Sequence, residues 1–293
     1  MLFKTVRDLI ELSEKENKKI SHIMIEQEML VTKKSREEII DQMDKNLQIM
    51  ENAVRKGLSG VTSHSGLTGG DAVLLQKYIE KGNYLSGDLL LHAVSMAVAT
   101  NEVNAAMGMI CATPTAGSAG VVPGTLFAVK NKFHPSRQEM IEFLFTAGAF
   151  GYIVANNSFI SGAAGGCQAE VGSASGMASA AIVEMAGGTP RQSAHAMAIT
   201  LKNMLGLVCD PVAGLVEVPC IKRNAMGAAN AIVAADMALA GIESKIPCDE
   251  VIEAMFRVGK MMPSSLRETA QGGLAVTPTA LKIQKEIHAG GEK

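Results

Sequence analysis

Three of the five cysteines stand in stretches poor in other nucleophiles, a setting that suits metal ligation better than thiol catalysis. Cys167 sits in Gly165-Gly-Cys-Gln-Ala-Glu170, and Cys209 and Cys220 bracket the segment Cys-Asp-Pro-Val-Ala-Gly-Leu-Val-Glu-Val-Pro-Cys. The separations are 41 residues between the first pair and 10 between the second, unlike the close C-x-x-C pairs of zinc ribbons and ferredoxins. On the residues alone, three buried structural cysteines are the competing explanation, because free cysteine is among the most buried residue types. The prolines following Cys209 and preceding Cys220 favour ligand loops, since they stiffen the chain and deny helical continuation. Three thiolates on a cubane 4Fe–4S cluster would leave one iron without a protein ligand. An open iron is a Lewis acid able to bind a substrate oxygen, which suits a dehydratase better than an electron carrier. Cys111, at the end of a helical run, and Cys248, after Ile-Pro, are expected to pack in the core.

Two polar, glycine-containing loops could complete such a site. Ser63-His-Ser-Gly-Leu-Thr-Gly-Gly-Asp71 gathers Ser63, His64, Ser65, Thr68, Gly69 and Asp71 ahead of a short amphipathic run. A helix opening near Gly70 would present free N–H groups, which bind carboxylates readily. The plainer alternative makes Asp71 an N-terminal cap and His64 a solvated loop residue. Ala112-Thr-Pro-Thr-Ala-Gly-Ser-Ala-Gly120 offers the hydroxyls of Thr113 and Thr115 and the backbone of Gly117. It lacks the Gly-Lys-Ser/Thr ending of a phosphate loop, so nucleotide binding is rejected in favour of a substrate or cluster loop. Arg223, three residues after Cys220, is suited to forking a substrate carboxylate or to offsetting cluster charge; Lys222 could equally cover the surface. His92 and His195 lie in apolar helical stretches and read as satisfied core histidines, and His134 as an exposed turn residue.

The elements that must position these residues are helical. Val6, Leu9, Ile10 and Leu12 share one face, and Ile39, Ile40, Met43, Leu47 and Met50 repeat at three-to-four spacing. Ser35 with Glu38 and Ser136 with Glu139 make capping boxes. Further runs are expected over 71–80, 88–110, up to about 155, and over 190–205, 222–241 and 249–261. Alternating strands and internal repeats are absent, and glycines cluster in linkers, so the fold class is all-α: a compact multi-helix domain with Gly-rich interhelical loops. Residues 1–57 carry 22 charged side chains and residues 103–169 only five. Mean hydropathy is +0.19, and the uncharged runs 103–129 and 143–169 are long enough to span a bilayer. Their prolines, asparagines and glycines argue for buried helices and loops instead. A net charge of −2 with 4% aromatics carries no basic stripe and excludes a nucleic-acid partner. The charged, amphipathic start is not a signal peptide, and five unpaired cysteines fit a reducing cytoplasm.

The segment Gly206-Leu-Val-Cys-Asp-Pro-Val-Ala-Gly-Leu-Val-Glu-Val-Pro-Cys-Ile-Lys-Arg-Asn224 resembles the cluster-binding signature of iron–sulfur-dependent L-serine dehydratases. The likeness extends to Cys167, to Ala112–Gly117 and to Ser63–Asp71, and covers about residue 50 to about 276. In length the chain is similar to the alpha subunit of the two-chain type. The resemblance implies a 4Fe–4S cluster on Cys167, Cys209 and Cys220, and conversion of L-serine to pyruvate and ammonia without pyridoxal phosphate, in amino-acid catabolism feeding gluconeogenesis. His64 is the first expectation for the base, with a serine or threonine alkoxide as rival. Single-chain relatives of the family carry an extra N-terminal segment and can end in a cysteine near the cluster. This chain has neither pattern, so a separate beta subunit and a hetero-oligomer are expected, and whether a tail residue occupies the open iron stays open. The whole chain, 1–293, is read as one domain: peripheral helices over 1–57, a cluster and substrate core over 58–276, and a tail over 277–293. Elimination from another amino acid such as cysteine, and a non-catalytic cluster-bearing sensor or scaffold, stand as alternatives.

Overall fold

A computed structural model of the chain describes residues 2–290, which form thirteen α-helices and no β-strand. In chain order they are α1 (Val6–Glu16), α2 (Ile20–Thr32), α3 (Arg36–Leu58), α4 (Asp71–Glu80), α5 (Asp88–Ala105), α6 (Val121–Phe133) and α7 (Arg137–Asn157). There follow α8 (Gly162–Gly165), α9 (Ser173–Met185), α10 (Pro190–Lys202), α11 (Cys220–Leu239), α12 (Cys248–Met261) and α13 (Pro278–Gly290). Extended pairing among the described residues is confined to two isolated bridges, Thr62 with Gly69 and Cys209 with Arg267. The all-α class expected from the sequence is the one observed.

Both capping boxes form. In each, the serine hydroxyl accepts the third helical N–H and the glutamate returns to the cap N–H, starting α3 at Ser35 and α7 at Ser136. The run expected to reach Ile110 stops at Ala105, where the chain turns through Met107 at φ 57°. Helices α6 and α9 escape periodicity for a physical reason: Val121–Val129 and Ser173–Val183 are buried at every residue, so neither has a polar face. The uncharged runs expected to be buried supply α6 and most of α7 to the core. Among the described residues no helix is long and apolar enough to cross a membrane.

Helix α5 is the hub, with α3, α4, α6 and α11 packed around it. The approach is close enough to require glycine. A Cβ on Gly57 would lie 2.1 Å from the Ala99 carbonyl oxygen, one on Gly120 2.3 Å from that of Ala97, and one on Gly124 2.8 Å from the Ala97 nitrogen. The charged N-terminal helices bury their apolar stripes, with Leu9, Ile20, Ile23, Ile25 and Leu47 fully enclosed. Three helix N-termini take a carboxylate from a distant helix. Asp249 accepts the Val6 and Arg7 N–H groups (2.7 and 3.0 Å), Glu184 those of Ile20 and Ser21 (2.7 and 3.3 Å), and Glu102 those of Asp71 and Ala72 (2.7 and 3.3 Å). Each satisfies orphan donors and complements the helix dipole.

Candidate active site

Cys167 and Cys209 meet from two elements, and Cys220 opens a third, α11, that packs against the turn after Cys167. Cys167 follows α8 and precedes a single wide π-type turn, Gln168–Gly172, that feeds into α9; such turns recur at functional sites. Gln168 staples this turn to the segment approaching Cys209: its N–H donates to the Leu207 carbonyl (2.9 Å), and its side-chain oxygen accepts the Gly206 N–H (2.9 Å). Cys209 lies in extended chain held on both sides, its N–H donating to Leu266 (2.8 Å) and its carbonyl accepting from Glu268 (2.7 Å). Cys220 opens α11. Asn224, one turn on, donates to the carbonyls of Cys220 (2.9 Å) and Gly117 (2.7 Å) and accepts the Gly120 N–H (3.1 Å), fastening the 112–120 loop to the start of α11.

All three thiols are buried and none is in a disulfide. The Cys167 and Cys209 sulfurs and a carboxylate oxygen of Glu170 lie within 4.8 Å of one another. The neighbouring Cys209 thiol and the charge of Arg223 pull the Cys167 thiol below its ordinary value against the opposing effect of burial. Cys209, its neighbour, is pushed up by Cys167 and by burial. Cys220 is pushed up, chiefly by burial, and its sulfur lies outside the group that Cys167, Cys209 and Glu170 form. Burial also raises Glu170, and a hydrogen bond from the Thr115 hydroxyl offsets part of the rise. Shape is conserved around the sulfurs by glycine, since a Cβ on Gly162 would stand 2.7 Å from Cys209 Sγ. Cys111 donates to the Asn46 carbonyl (3.4 Å), and Cys248 is buried at the start of α12; both are away from this group.

Arg223 is engaged inside the protein. Its guanidinium pairs with Asp210 (2.9 Å), donates to the Val208 carbonyl (2.7 Å) and reaches Cys167 Sγ (3.5 Å). It thus offsets sulfur charge directly. Lys222 pairs with Asp71, and the α4 N–H groups that could have met a substrate carboxylate are taken by Glu102. Gly69 is obligatory in this loop, because a Cβ there would meet the Val61 carbonyl oxygen at 2.3 Å. Ser65 and Thr68 donate their hydroxyls to Glu217 (2.8 and 2.6 Å), and Ser63 lies 3.2 Å from Ser65, so this loop is tied to the Cys209–Cys220 segment. The Thr113 hydroxyl is buried without a hydrogen-bond partner. His92 stands 3.4 Å from Asp88, His195 accepts the Ser244 N–H (3.2 Å), and His134 is an exposed left-handed cap of α6.

A cavity of about 820 Å³ is lined by His64, Ser65, Asn104, Ala116 and Glu217, with Glu286 of α13 also on its wall and no cysteine among its lining residues. Ala116 is flanked by Thr115, which donates to Glu170, and Gly117, whose added Cβ would fall 2.5 Å from a Glu170 oxygen. Glu170 and Glu217 were not singled out from the sequence. Both signals were present: one acid closes the Cys167 motif three residues on, and the other lies between Cys209 and Cys220. The donor set fits a thiolate-held iron–sulfur cluster. Soft sulfur ligands select zinc or iron–sulfur chemistry, two thiols meet with Arg223 against one of them, the third cysteine opens the helix that bears Arg223, and a buried carboxylate joins the two thiols.

The family described as serine dehydratase alpha chain matches residues 15–275. A probable L-serine dehydratase alpha chain from Bacillus subtilis is 72% identical over 99% of this chain and 96% of its own length. An L-serine dehydratase alpha chain from Peptoniphilus asaccharolyticus is 43% identical over 99% of this chain and 100% of its own. An L-serine dehydratase from Streptomyces coelicolor is 38% identical over 94% of this chain but 61% of its own length. Spanned by the family's pattern over most of its length and matched end to end by such relatives, the chain belongs to the serine dehydratase alpha-chain family.

Proposed function

We propose that this chain is the cluster-bearing subunit of an L-serine ammonia-lyase that forms pyruvate and ammonia. The observation that carries the reading is the buried group of Cys167, Cys209 and Glu170, packed against the helix that Cys220 opens, in a member of this family. The thiolates of Cys167, Cys209 and Cys220 would hold a 4Fe–4S cluster, which when bound supplies a Lewis acid that weakens the bond to serine's hydroxyl. The contact from Arg223 prepares the Cys167 sulfur to ligate as a thiolate. Glu217, one of two acids on the cavity wall, suits the α-ammonium of serine, its position fixed by Ser65 and Thr68. His64, exposed on the same wall, takes the α-proton onto an imidazole nitrogen. Loss of water gives aminoacrylate, which tautomerises to the imine and takes water back to release ammonia.

Among the described residues the cavity wall includes no lysine or arginine, and Arg223 is already paired. Serine's carboxylate therefore needs a group from elsewhere, and we infer that a beta subunit, as the alpha-chain relatives' names imply, supplies it and covers the cavity. Anaerobic titration of the reconstituted chain with that subunit, following pyruvate, tests both parts. Turnover is expected to stay near zero for the chain alone and to plateau at equimolar partner. Full turnover from this chain alone would remove the shared site, and an inactive complex with an intact cluster would remove the assigned reaction.

A further inference from the structure

Glu170 brings a carboxylate into a buried site that offers little to balance it. It is 6% exposed. Among the described residues its one hydrogen bond comes from the Thr115 hydroxyl. The nearby cation, Arg223, spends its guanidinium on Asp210, the Val208 carbonyl and Cys167. An ionised carboxylate removed from water without a counter-charge costs several kcal/mol, so a buried acid is matched by a cation, a metal or a proton. Its placement is nevertheless tightly set. The π-type turn directs it toward the sulfurs, the Thr115 hydroxyl holds one oxygen, and Gly117 leaves room for both, an added Cβ lying 2.5 and 3.0 Å from them. One of its oxygens is within 4.8 Å of both Cys167 and Cys209 sulfurs.

We propose that Glu170 is a fourth protein ligand of the metal centre, its carboxylate resting on the iron that Cys167, Cys209 and Cys220 leave without a thiolate. This rests on the cluster reading above. A single oxygen donor among three sulfurs distinguishes one iron from the others, and a carboxylate is a weaker match than a thiolate for this soft centre. It is therefore a ligand that a substrate oxygen could displace. Glu268 is the neighbouring alternative, but it is only half-buried and lies outside the group formed by Glu170 and the two sulfurs.

The test uses the full chain labelled with glutamate carrying 13C in its side-chain carboxylate and reconstituted anaerobically with iron and sulfide. Iron and acid-labile sulfide per chain first report whether a cluster is present. Electron–nuclear double resonance of the reduced cluster is then expected to show a carbon coupling in the wild type and in Glu268→Ala, and none in Glu170→Ala. Controlled oxidation is expected to strip one iron from Glu170→Ala on the order of tenfold faster, read from the three-iron paramagnetic signal. A loaded wild-type cluster without the coupling overturns the proposal, a result that does not depend on either variant folding. Coupling that persists in Glu170→Ala, or vanishes in Glu268→Ala, overturns it as well. A wild-type chain that binds neither iron nor sulfide overturns the cluster reading and the proposal together, and the metal analysis distinguishes that failure from the others.

Discussion

At the scale of single residues, the centre depends on a few side chains whose loss has separable signatures. Changing Cys167, Cys209 or Cys220 to alanine is expected to abolish the cluster's visible absorbance, because two thiolates hold a cubane poorly. Cys248→Ala, buried in α12, should leave absorbance unchanged. Retention of the chromophore by all four variants would refute the ligand set. Gly117 offers a subtler probe. A methyl there intrudes on both Glu170 oxygens, so Gly117→Ala should displace the carboxylate and lower retained iron or turnover by on the order of tenfold, as supporting-shell changes do at metal sites. Helical content measured by circular dichroism should stay as in the wild type. A variant with unchanged iron retention and turnover would show that this contact is immaterial.

At the scale of elements, close helix crossings and borrowed caps set the geometry. Gly124 brings α6 onto α5 where a Cβ would strike backbone, and Gly124→Ala should destabilise by roughly 1–3 kcal/mol through overpacking. Gly148, inside α7, has nothing within 4 Å of an added Cβ. Its replacement by alanine should stabilise by about 0.5–1 kcal/mol through helix propensity. Denaturant unfolding of the two variants checks the opposite signs. Helix α2 has no side-chain cap of its own and relies on Glu184 from α9. Glu184→Ala should cost about 1–3 kcal/mol and expose the α2 amides to hydrogen exchange before those of α7.

For the molecule as a whole, the charged N-terminal section is joined to the core by ion pairs that titrate. Glu142 of α7 meets Lys19 (2.9 Å) and His22 (3.3 Å) from the start of α2. Burial pushes its carboxyl up, yet the hydrogen bonds from Lys19, His22 and Gln138 outweigh burial and hold it below the ordinary range. A carboxylate depressed in this way adds stability above the unfolded-state value, and that stability is lost as pH falls through the folded value. The melting temperature of the wild type should exceed that of Glu142→Gln at neutral pH, and the gap should close in acid. A gap that stays constant across the acid range would mean that the pair contributes nothing through charge.

The sequence by itself determined the helical class, because amphipathic stripes and capping boxes are local: Ser35 with Glu38 and Ser136 with Glu139 need only their own turn to form. It also marked Cys167, Cys209 and Cys220, since the prolines and glycines around them are legible without a fold. Helices α6 and α9 were hidden, because burial on every side erases the polar period that betrays a helix. Only tertiary structure decided how the polar residues are committed. Arg223 and the α4 N-terminus looked free to meet a substrate, yet Asp210 and Glu102, distant in sequence, reach them first. Conversely, Glu170 and Glu217 read as ordinary acids until folding placed one against the sulfurs and the other on the cavity wall. Propensity and capping act within a turn, whereas desolvation and charge pairing depend on which segments converge, and that is a property of the packed chain alone.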